Sequence, residues 1–170
     1  MTRPAVDLVI EDEAWTTALP DLAEVAEAAA RMAIGVLPEA LHDAEICVLA
    51  CDDGRIAKLN AEFRGKPQPT NVLSWPAQEL ASATPGGAPD LPQAPESGPL
   101  MLGDVAIALQ TTAREAENAS RPLKSHVLHL ILHGALHLLG YDHETPEDAE
   151  VMEGIERRAL MSAGYPDPYA

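Results

Sequence analysis

The chain has 170 residues, of which 46% are apolar and 4% aromatic, and its net charge at pH 7 is −16. One domain with an aliphatic core fits this length and composition. No apolar run reaches the ~18 residues that a membrane-spanning helix needs, and the N-terminus lacks the pattern of a signal peptide. We therefore expect a cytoplasmic protein with no membrane partner. The acidic balance excludes a surface that is basic overall, so we also expect no DNA partner.

Hydrophobic spacing divides the chain into alternating strands and helices. Four strands are predicted, over residues 6–10, 44–50, 70–75 and 100–108. Periodicity and start signals predict five helices, over residues 20–37, about 53–63, 110–118, 122–139 and 145–163. Cys47 and Cys51 fall on one side of the second strand and are predicted to be buried, reduced thiols. The helix over 122–139 is apolar on all sides, which predicts a buried central helix.

The segment from about 76 to 99 differs in composition from the rest of the chain. It contains six prolines, three glycines and no aromatic residue. This composition predicts a flexible surface insertion, of which residues 78–97 are mobile and dispensable for folding. With the insertion set aside, the pattern predicts one α+β domain over residues 1–170. In it, a small mixed sheet of about four strands packs with helices around the buried central helix.

Three histidines, His133, His137 and His143, give the strongest chemical signal in the sequence. Because His133 and His137 are four residues apart on a helix, their side chains lie on one face. Gly140 tolerates the left-handed turn that ends a helix, and this turn can bring His143 back toward the other two. Three imidazoles leave a fourth tetrahedral position for water, as in catalytic zinc sites. The pattern predicts a hydrolase with one Zn²⁺ ion per chain, held by these three residues.

Two further histidines, His126 and His129, lie on the same helical stripe as His133. His129 offers an alternative third ligand in place of His143. Buried histidines more often form a hydrogen bond, so we expect one of the two to line a cleft or to bond a backbone carbonyl. Asp104 is either a turn residue at a strand end or a hydrogen-bond partner of a ligand histidine.

The spacing of the three histidines matches H-E-x-x-H-x-x-G-x-x-H, the signature of metzincin proteases. Gly134 stands where the protease has the glutamate that serves as its general base. Without this carboxylate, peptide cleavage lacks its proton relay. A metzincin-like metalloprotease is therefore an alternative that the sequence disfavours.

The whole motif from His133 to His143 resembles the YbeY family of bacterial endoribonucleases. The likeness extends to Arg64-Gly65-Lys66, to Thr70-Asn71-Val72-Leu73-Ser74-Trp75 and to Leu102-Gly103-Asp104, and it covers residues 45–169. It implies a zinc-dependent, single-strand-specific endoribonuclease that acts in 16S rRNA maturation and ribosome biogenesis. It also implies zinc on the three histidines and a functional arginine at Arg64. The proline-rich insertion is the departure from the family's pattern.

The resemblance implies the roles of the histidines and of Arg64, and the other candidates are chosen for their positions near Arg64 in the sequence. Arg64, His133 and His137 are the expected catalytic residues, and Arg64 suits a phosphate because its planar fork binds two oxygens. The residues expected to bind substrate are Arg64, Lys66, Asn71 and Ser74. The expected partners are single-stranded RNA from ribosomal RNA precursors and proteins of the small ribosomal subunit.

A non-enzymatic function also remains open at this stage. A non-enzymatic ribosome assembly factor with a structural zinc would have a fourth protein ligand on the metal.

The acidic residues of the last helix are expected to form a solvated face, which could also receive a basic ribosomal protein. These residues are Glu147, Asp148, Glu150, Glu153 and Glu156.

Overall fold

The computed structural model describes residues 3–170, and its elements follow the predicted order. The strands are β1 (Val6–Ile10), β2 (Glu45–Cys51), β3 (Val72–Pro76) and β4 (Met101–Ala108). The helices are α1 (Ala14–Ala18), α2 (Leu22–Ile34), α3 (Asp53–Arg64), α4 (Leu109–Asn118), α5 (Leu123–Leu138) and α6 (Pro146–Ser162), with a short 3-10 helix at Glu39–Leu41. The predicted helix over 20–37 ends at Ile34, and α1 and the 3-10 helix were not predicted. None of the described helices is long and apolar enough to cross a bilayer.

The four strands form one mixed sheet in the order β1-β2-β4-β3. β1 is parallel to β2 and β2 to β4, while β3 runs antiparallel to β4. Helices α2 and α5 cover one face of this sheet with the main aliphatic core. On the opposite face, Ile56 of α3 packs with Cys51, Leu73, Ala106 and Ala108 in a smaller cluster. The predicted α+β class and the small mixed sheet are therefore confirmed.

Helix α5 is the buried central helix that its sequence predicts. Nine of its residues are buried, and it contacts α2, α4, α6, β3 and β4. It lies close against the sheet at Gly134, where an added Cβ would lie 2.9 Å from Cγ1 of Val105 and 3.1 Å from Oγ of Ser74. A side chain at this position would separate the helix from the sheet. Glycine is required here by packing.

The segment between β3 and β4 contains no helix or strand. Its ends are joined, because Nε2 of Gln78 donates to the carbonyl of Gln93 and N of Gln93 donates to Oε1 of Gln78. Inside this pair, N of Asp90 donates to the carbonyl of Leu80 across 2.8 Å. The Leu80 side chain is only 6% exposed, so this residue is part of the packed structure. The mobility and dispensability of residues 78–97 stay predictions, and the burial of Leu80 argues against full dispensability.

Candidate metal centre and its cleft

The structure brings His133, His137 and His143 together at the C-terminal end of α5. One ligand atom from each of the three lies within 4.8 Å of the others. The Nε2 atoms of His133 and His137 are 3.1 Å apart, and the ring of His143 is centred 5.2 Å and 5.1 Å from the other two rings. Three imidazole donors therefore converge on one point.

A tight turn after α5 carries the chain back so that His143 reaches this point. N of Gly140 donates to the carbonyl of His137 and N of Tyr141 to that of Leu136, each across 3.1 Å, which is a Schellman motif. Gly140 has φ +97°, and a Cβ there would lie 2.7 Å from the carbonyl carbon of Leu80. Backbone conformation and close approach both require glycine at this position.

Hydrogen bonds on the far side of the His133 and His137 rings fix which nitrogen of each faces the centre. Nδ1 of His137 lies 2.9 Å from the carbonyl of Tyr141, and a carbonyl only accepts, so Nδ1 carries the hydrogen. Nδ1 of His133 lies 2.9 Å from Oε1 of Glu156 and likewise donates. Both rings therefore present the lone pair of Nε2 to the centre.

This donor set fits a metal ion. Two lone pairs that face each other across 3.1 Å repel, and a cation between them removes the repulsion. Two nitrogens bound to a tetrahedral zinc at ~2.05 Å would be about 3.3 Å apart, which is close to the spacing seen. Burial, followed by the neighbouring His133 and His143, lowers the pKa of His137 to about 4. The ring is therefore neutral at pH 7, the form that binds metals.

The side chain of Glu156 on α6 is completely buried beside these rings, so the expectation of a solvated position is wrong here. Its Oε1 accepts from His133, and its Oε2 accepts from His129 and, across 2.6 Å, from the hydroxyl of Tyr169. Burial raises the pKa of this carboxyl, but hydrogen bonds from His129, His133 and Tyr169 outweigh it and lower the pKa to about 2. Glu156 is therefore a charged acceptor behind the metal centre.

The other acidic residues of α6 are exposed or half-buried, as expected. A periodic signal distinguishes Glu156 from them, because it lies four residues after Met152 and four before Leu160. Both neighbours are buried, and all three share one face of the helix. This spacing was visible in the sequence.

His126 and His129 line the cleft, but their hydrogen bonds go to carboxylates and not to a backbone carbonyl. Nε2 of His126 lies 2.9 Å from Oε1 of Glu115, and Nε2 of His129 bonds Glu156. His129, His133 and Glu156 form a second group with donor atoms within 4.8 Å, which shares His133 with the first. His129 thus lies beside Glu156, while His143 is the histidine that groups with His133 and His137.

Both interpretations of Asp104 are wrong. The residue is exposed in the middle of β4, where it pairs with Cys47 of β2 and Trp75 of β3. Its neighbour Val105 belongs to the core on the α5 side of the sheet. Since successive strand residues point to opposite faces, the side chain of Asp104 lies on the face away from the histidines.

A cleft of about 790 Å³ opens over the three histidines. Arg64 lines it from the last turn of α3, and Gly65 ends that helix in the left-handed conformation with φ +68°. Within residues 3–170, the ion pairs involve other basic side chains, which leaves the guanidinium of Arg64 available for an anion. Lys66 is exposed in the adjoining loop and is not among the residues that line the cleft.

Asn71 and Ser74 also line the cleft, but each already has a protein partner. Nδ2 of Asn71 donates to Oε1 of Glu115 across 3.0 Å. Oγ of Ser74 donates to the carbonyl of Gly134 across 3.0 Å and so ties β3 to α5. Both residues thus form part of the cleft wall beside the histidines.

The fold and the site together define a single-domain α+β protein with a three-histidine group able to hold a metal ion, in a cleft that has an arginine at its edge. The family model described as Endoribonuclease YbeY matches residues 9–164, and this chain belongs to that family. Proteins named Endoribonuclease YbeY from Ruegeria pomeroyi and Paracoccus denitrificans are 54% and 52% identical to it. These two alignments cover 96% of this chain and 97% and 89% of the respective relatives.

A solved structure has the same fold. The solution structure of TM1509 from Thermotoga maritima matches with a TM-score of 0.53 at 20% sequence identity. The match covers 94% of this chain and 91% of that chain. It supports the α+β assignment.

Proposed function

We propose that this protein is a zinc-dependent endoribonuclease that cleaves single-stranded RNA. Its proposed substrates are precursors of 16S rRNA, which it processes in ribosome biogenesis in the cytoplasm. The observation that carries the proposal is the convergence of His133, His137 and His143 in a cleft edged by Arg64. The relatives named Endoribonuclease YbeY support RNA as the substrate.

His133, His137 and His143 would hold the zinc ion. Zinc supplies Lewis-acid chemistry, which polarises phosphoryl oxygens and lowers the pKa of water. The protein itself orients the ligands: the carboxylate of Glu156 holds the ring of His133, and the carbonyl of Tyr141 holds that of His137. Because both acceptors are fixed, the two Nε2 lone pairs are directed before the metal binds.

Arg64 is the residue we propose for the scissile phosphate. Its guanidinium donates two parallel hydrogen bonds to two phosphate oxygens, which fixes the orientation of the group. The same positive charge opposes the negative charge that grows in the transition state. Lys66 in the adjoining loop would add attraction for the backbone, while Asn71 and Ser74 would contact the RNA along the cleft wall.

The charge distribution supports a protein partner beside the RNA. Because the net charge is −16, most of the surface repels a polyanion, and affinity for RNA therefore depends on the metal centre and on Arg64. The exposed carboxylates of α6 suit a basic partner, and we propose proteins of the small ribosomal subunit.

The two alternative functions fit the geometry less well. A protease base in place of Gly134 would collide with Val105, which already lies 2.9 Å from the position of a Cβ. A structural zinc would need a fourth protein ligand, and the donor group that includes His143 contains three residues within the described part of the chain.

Cleavage of a single-stranded RNA by the purified protein, with and without a chelator, tests the proposal. We expect cleavage that the chelator abolishes and that zinc restores. His137→Ala should remove the activity. His42→Ala is the matched control, because His42 bonds the carbonyl of Leu37 outside the cleft and should leave the activity unchanged. Chelator-insensitive cleavage, or full activity of His137→Ala, would contradict the proposal.

A further inference from the structure

Tyr169, the second-last residue, is connected to the metal centre by two hydrogen bonds in series. Its hydroxyl donates to Oε2 of Glu156 across 2.6 Å, and Oε1 of the same carboxylate accepts from Nδ1 of His133 across 2.9 Å. Tyr169 also lines the cleft, where its ring is centred 5.5 Å from that of His129. The series therefore runs from the end of the chain to a candidate metal ligand.

We propose that Tyr169 is a positioning residue that acts through Glu156 on His133. A carboxylate can rotate about its last bond, and the direction of Oε1 decides how well it holds the imidazole. Bonds from His129 and Tyr169 to Oε2 oppose that rotation, so the ring of His133 keeps its Nε2 lone pair on the metal position. The C-terminal residues are thereby part of the metal centre.

The segment that carries Tyr169 is held by contacts that do not involve its hydroxyl. N of Tyr169 donates to Oδ1 of Asp167, and Nε of Arg157 lies 3.3 Å from Oδ2 of Asp167. The guanidinium of Arg157 lies 5.3 Å from the centre of the Tyr169 ring, and Arg121 bonds the carbonyl of Pro168. A Tyr169→Phe variant therefore keeps the ring and the segment in place. It removes only the hydroxyl, which donates to Oε2 of Glu156 and lies 3.4 Å from Nε2 of His129.

The inference rests on the proposed metal site but not on the RNA activity, so zinc affinity is the quantity to measure. The variants are Tyr169→Phe, Glu156→Gln and the double variant, with Tyr165→Phe as the matched control. Tyr165 is also a C-terminal tyrosine, but it packs against the aliphatic core. Competition with a chromophoric chelator gives the zinc dissociation constant of each folded protein.

We expect Tyr169→Phe to weaken zinc binding about tenfold and Tyr165→Phe to leave it unchanged, since outer hydrogen-bond partners are worth roughly 10–100-fold in metal affinity. If Tyr169 acts through Glu156, the double variant should bind zinc no more weakly than Glu156→Gln alone. In the metal-free protein, ¹⁵N NMR of the histidine rings should show His133 with its hydrogen on Nδ1, and a mixture of tautomers in Tyr169→Phe.

Three outcomes separate this inference from the proposed function. Wild-type zinc affinity and an unmixed His133 tautomer in Tyr169→Phe would overturn the inference, whatever the behaviour of Glu156→Gln. Losses that add in the double variant would also overturn it, because they place the effect of Tyr169 outside Glu156. Tight zinc binding by the wild type without any RNA cleavage would contradict the proposed function and leave this inference standing.

Discussion

His133 and Glu156 join α5 to α6 through a hydrogen bond of 2.9 Å between an imidazole Nδ1 and a fully buried carboxylate. The two residues are 23 positions apart, so only the packing of the two helices brings them together. A buried carboxylate is costly unless it is hydrogen-bonded, and this one has three donors. The bond therefore serves both the stability of the domain and the orientation of a proposed metal ligand.

Removal of Glu156 should destabilise the protein strongly. Glu156→Ala leaves His129 and His133 without their acceptor in a buried site, and we expect the free energy of unfolding to fall by about 3 kcal/mol. Glu153→Ala is the control on the same helix, because Glu153 is half-exposed and lies 3.9 Å from Arg157. Its loss should cost under about 1 kcal/mol. Urea unfolding of the metal-free proteins measures both, and equal losses would contradict the account.

The same carboxylate should make stability depend on pH in the acid range. Its pKa is lowered from 4.5 to about 2 on folding, so the unfolded chain takes up the proton first. The stabilisation is present above pH 4.5 and is lost as the pH falls toward 2. In Glu156→Gln this contribution is absent, and the decline over that interval should be shallower than in the wild type. Urea unfolding at several pH values checks this, and parallel declines would rule it out.

Gly134 should tolerate no side chain. In Gly134→Ala the new Cβ would lie 2.9 Å from Val105, so α5 must shift from the sheet, at a cost of about 1–3 kcal/mol. Gly154→Ala in α6 is the control, because its Cβ would meet only the flexible end of Arg158. Alanine favours a helix over glycine, and this variant should gain up to about 1 kcal/mol. Thermal unfolding compares the two, and a stabilised Gly134→Ala would refute the packing argument.

The insertion should divide into buried positions that matter for folding, such as Leu80, and a loop tip over residues 81–89 that does not. Leu80→Ala should cost about 2 kcal/mol, whereas Leu91→Ala should cost little, because Leu91 is 57% exposed. Replacing residues 81–89 with two glycines keeps the bond from N of Asp90 to the carbonyl of Leu80 as a β-turn. We expect that variant to melt within a few degrees of the wild type. A large fall would show that the tip is needed for folding.

Local spacing explains why the histidine triad was predictable from the sequence. His133 and His137 are one helical turn apart, and Gly140 marks the turn that brings in His143. The two predictions for Asp104 are wrong because its role depends on which face of β4 it occupies. The apolar Val105 and Ile107 alternate with it along the strand, and this alternation indicates that Asp104 faces away from the main core.

Longer-range relationships could not be predicted in the same way. Glu156 and Tyr169 meet His133 only after α6 and the C-terminal residues fold onto α5, and no local pattern encodes that contact. The five residues of α1 are too few for periodicity, and tertiary contacts fix them instead. Trp15 is fully buried there, and its Nε1 donates to the carbonyl of Cys51 across 2.8 Å.

Arg64 should act on the chemical step. Arg64→Ala should retain zinc and lower the rate at saturating RNA by about 10²-fold, because a donor to the transition-state charge is lost. Arg64→Lys should recover only part, since lysine lacks the planar fork. Arg55→Ala is the control: Arg55 is on the same helix and pairs with Glu11. Single-turnover cleavage measures the rates, and weakened binding with an unchanged saturated rate would limit Arg64 to substrate capture.

Titration of zinc into the metal-free protein, followed by the initial rate of single-stranded RNA cleavage, tests the central claim most directly. If His133, His137 and His143 hold one catalytic ion, the rate should rise in proportion to added zinc and level off at one equivalent per chain. His143→Ala should bind zinc more weakly and show no such rise. A rate that is independent of zinc, or a filled site that leaves the RNA intact, would contradict the claim.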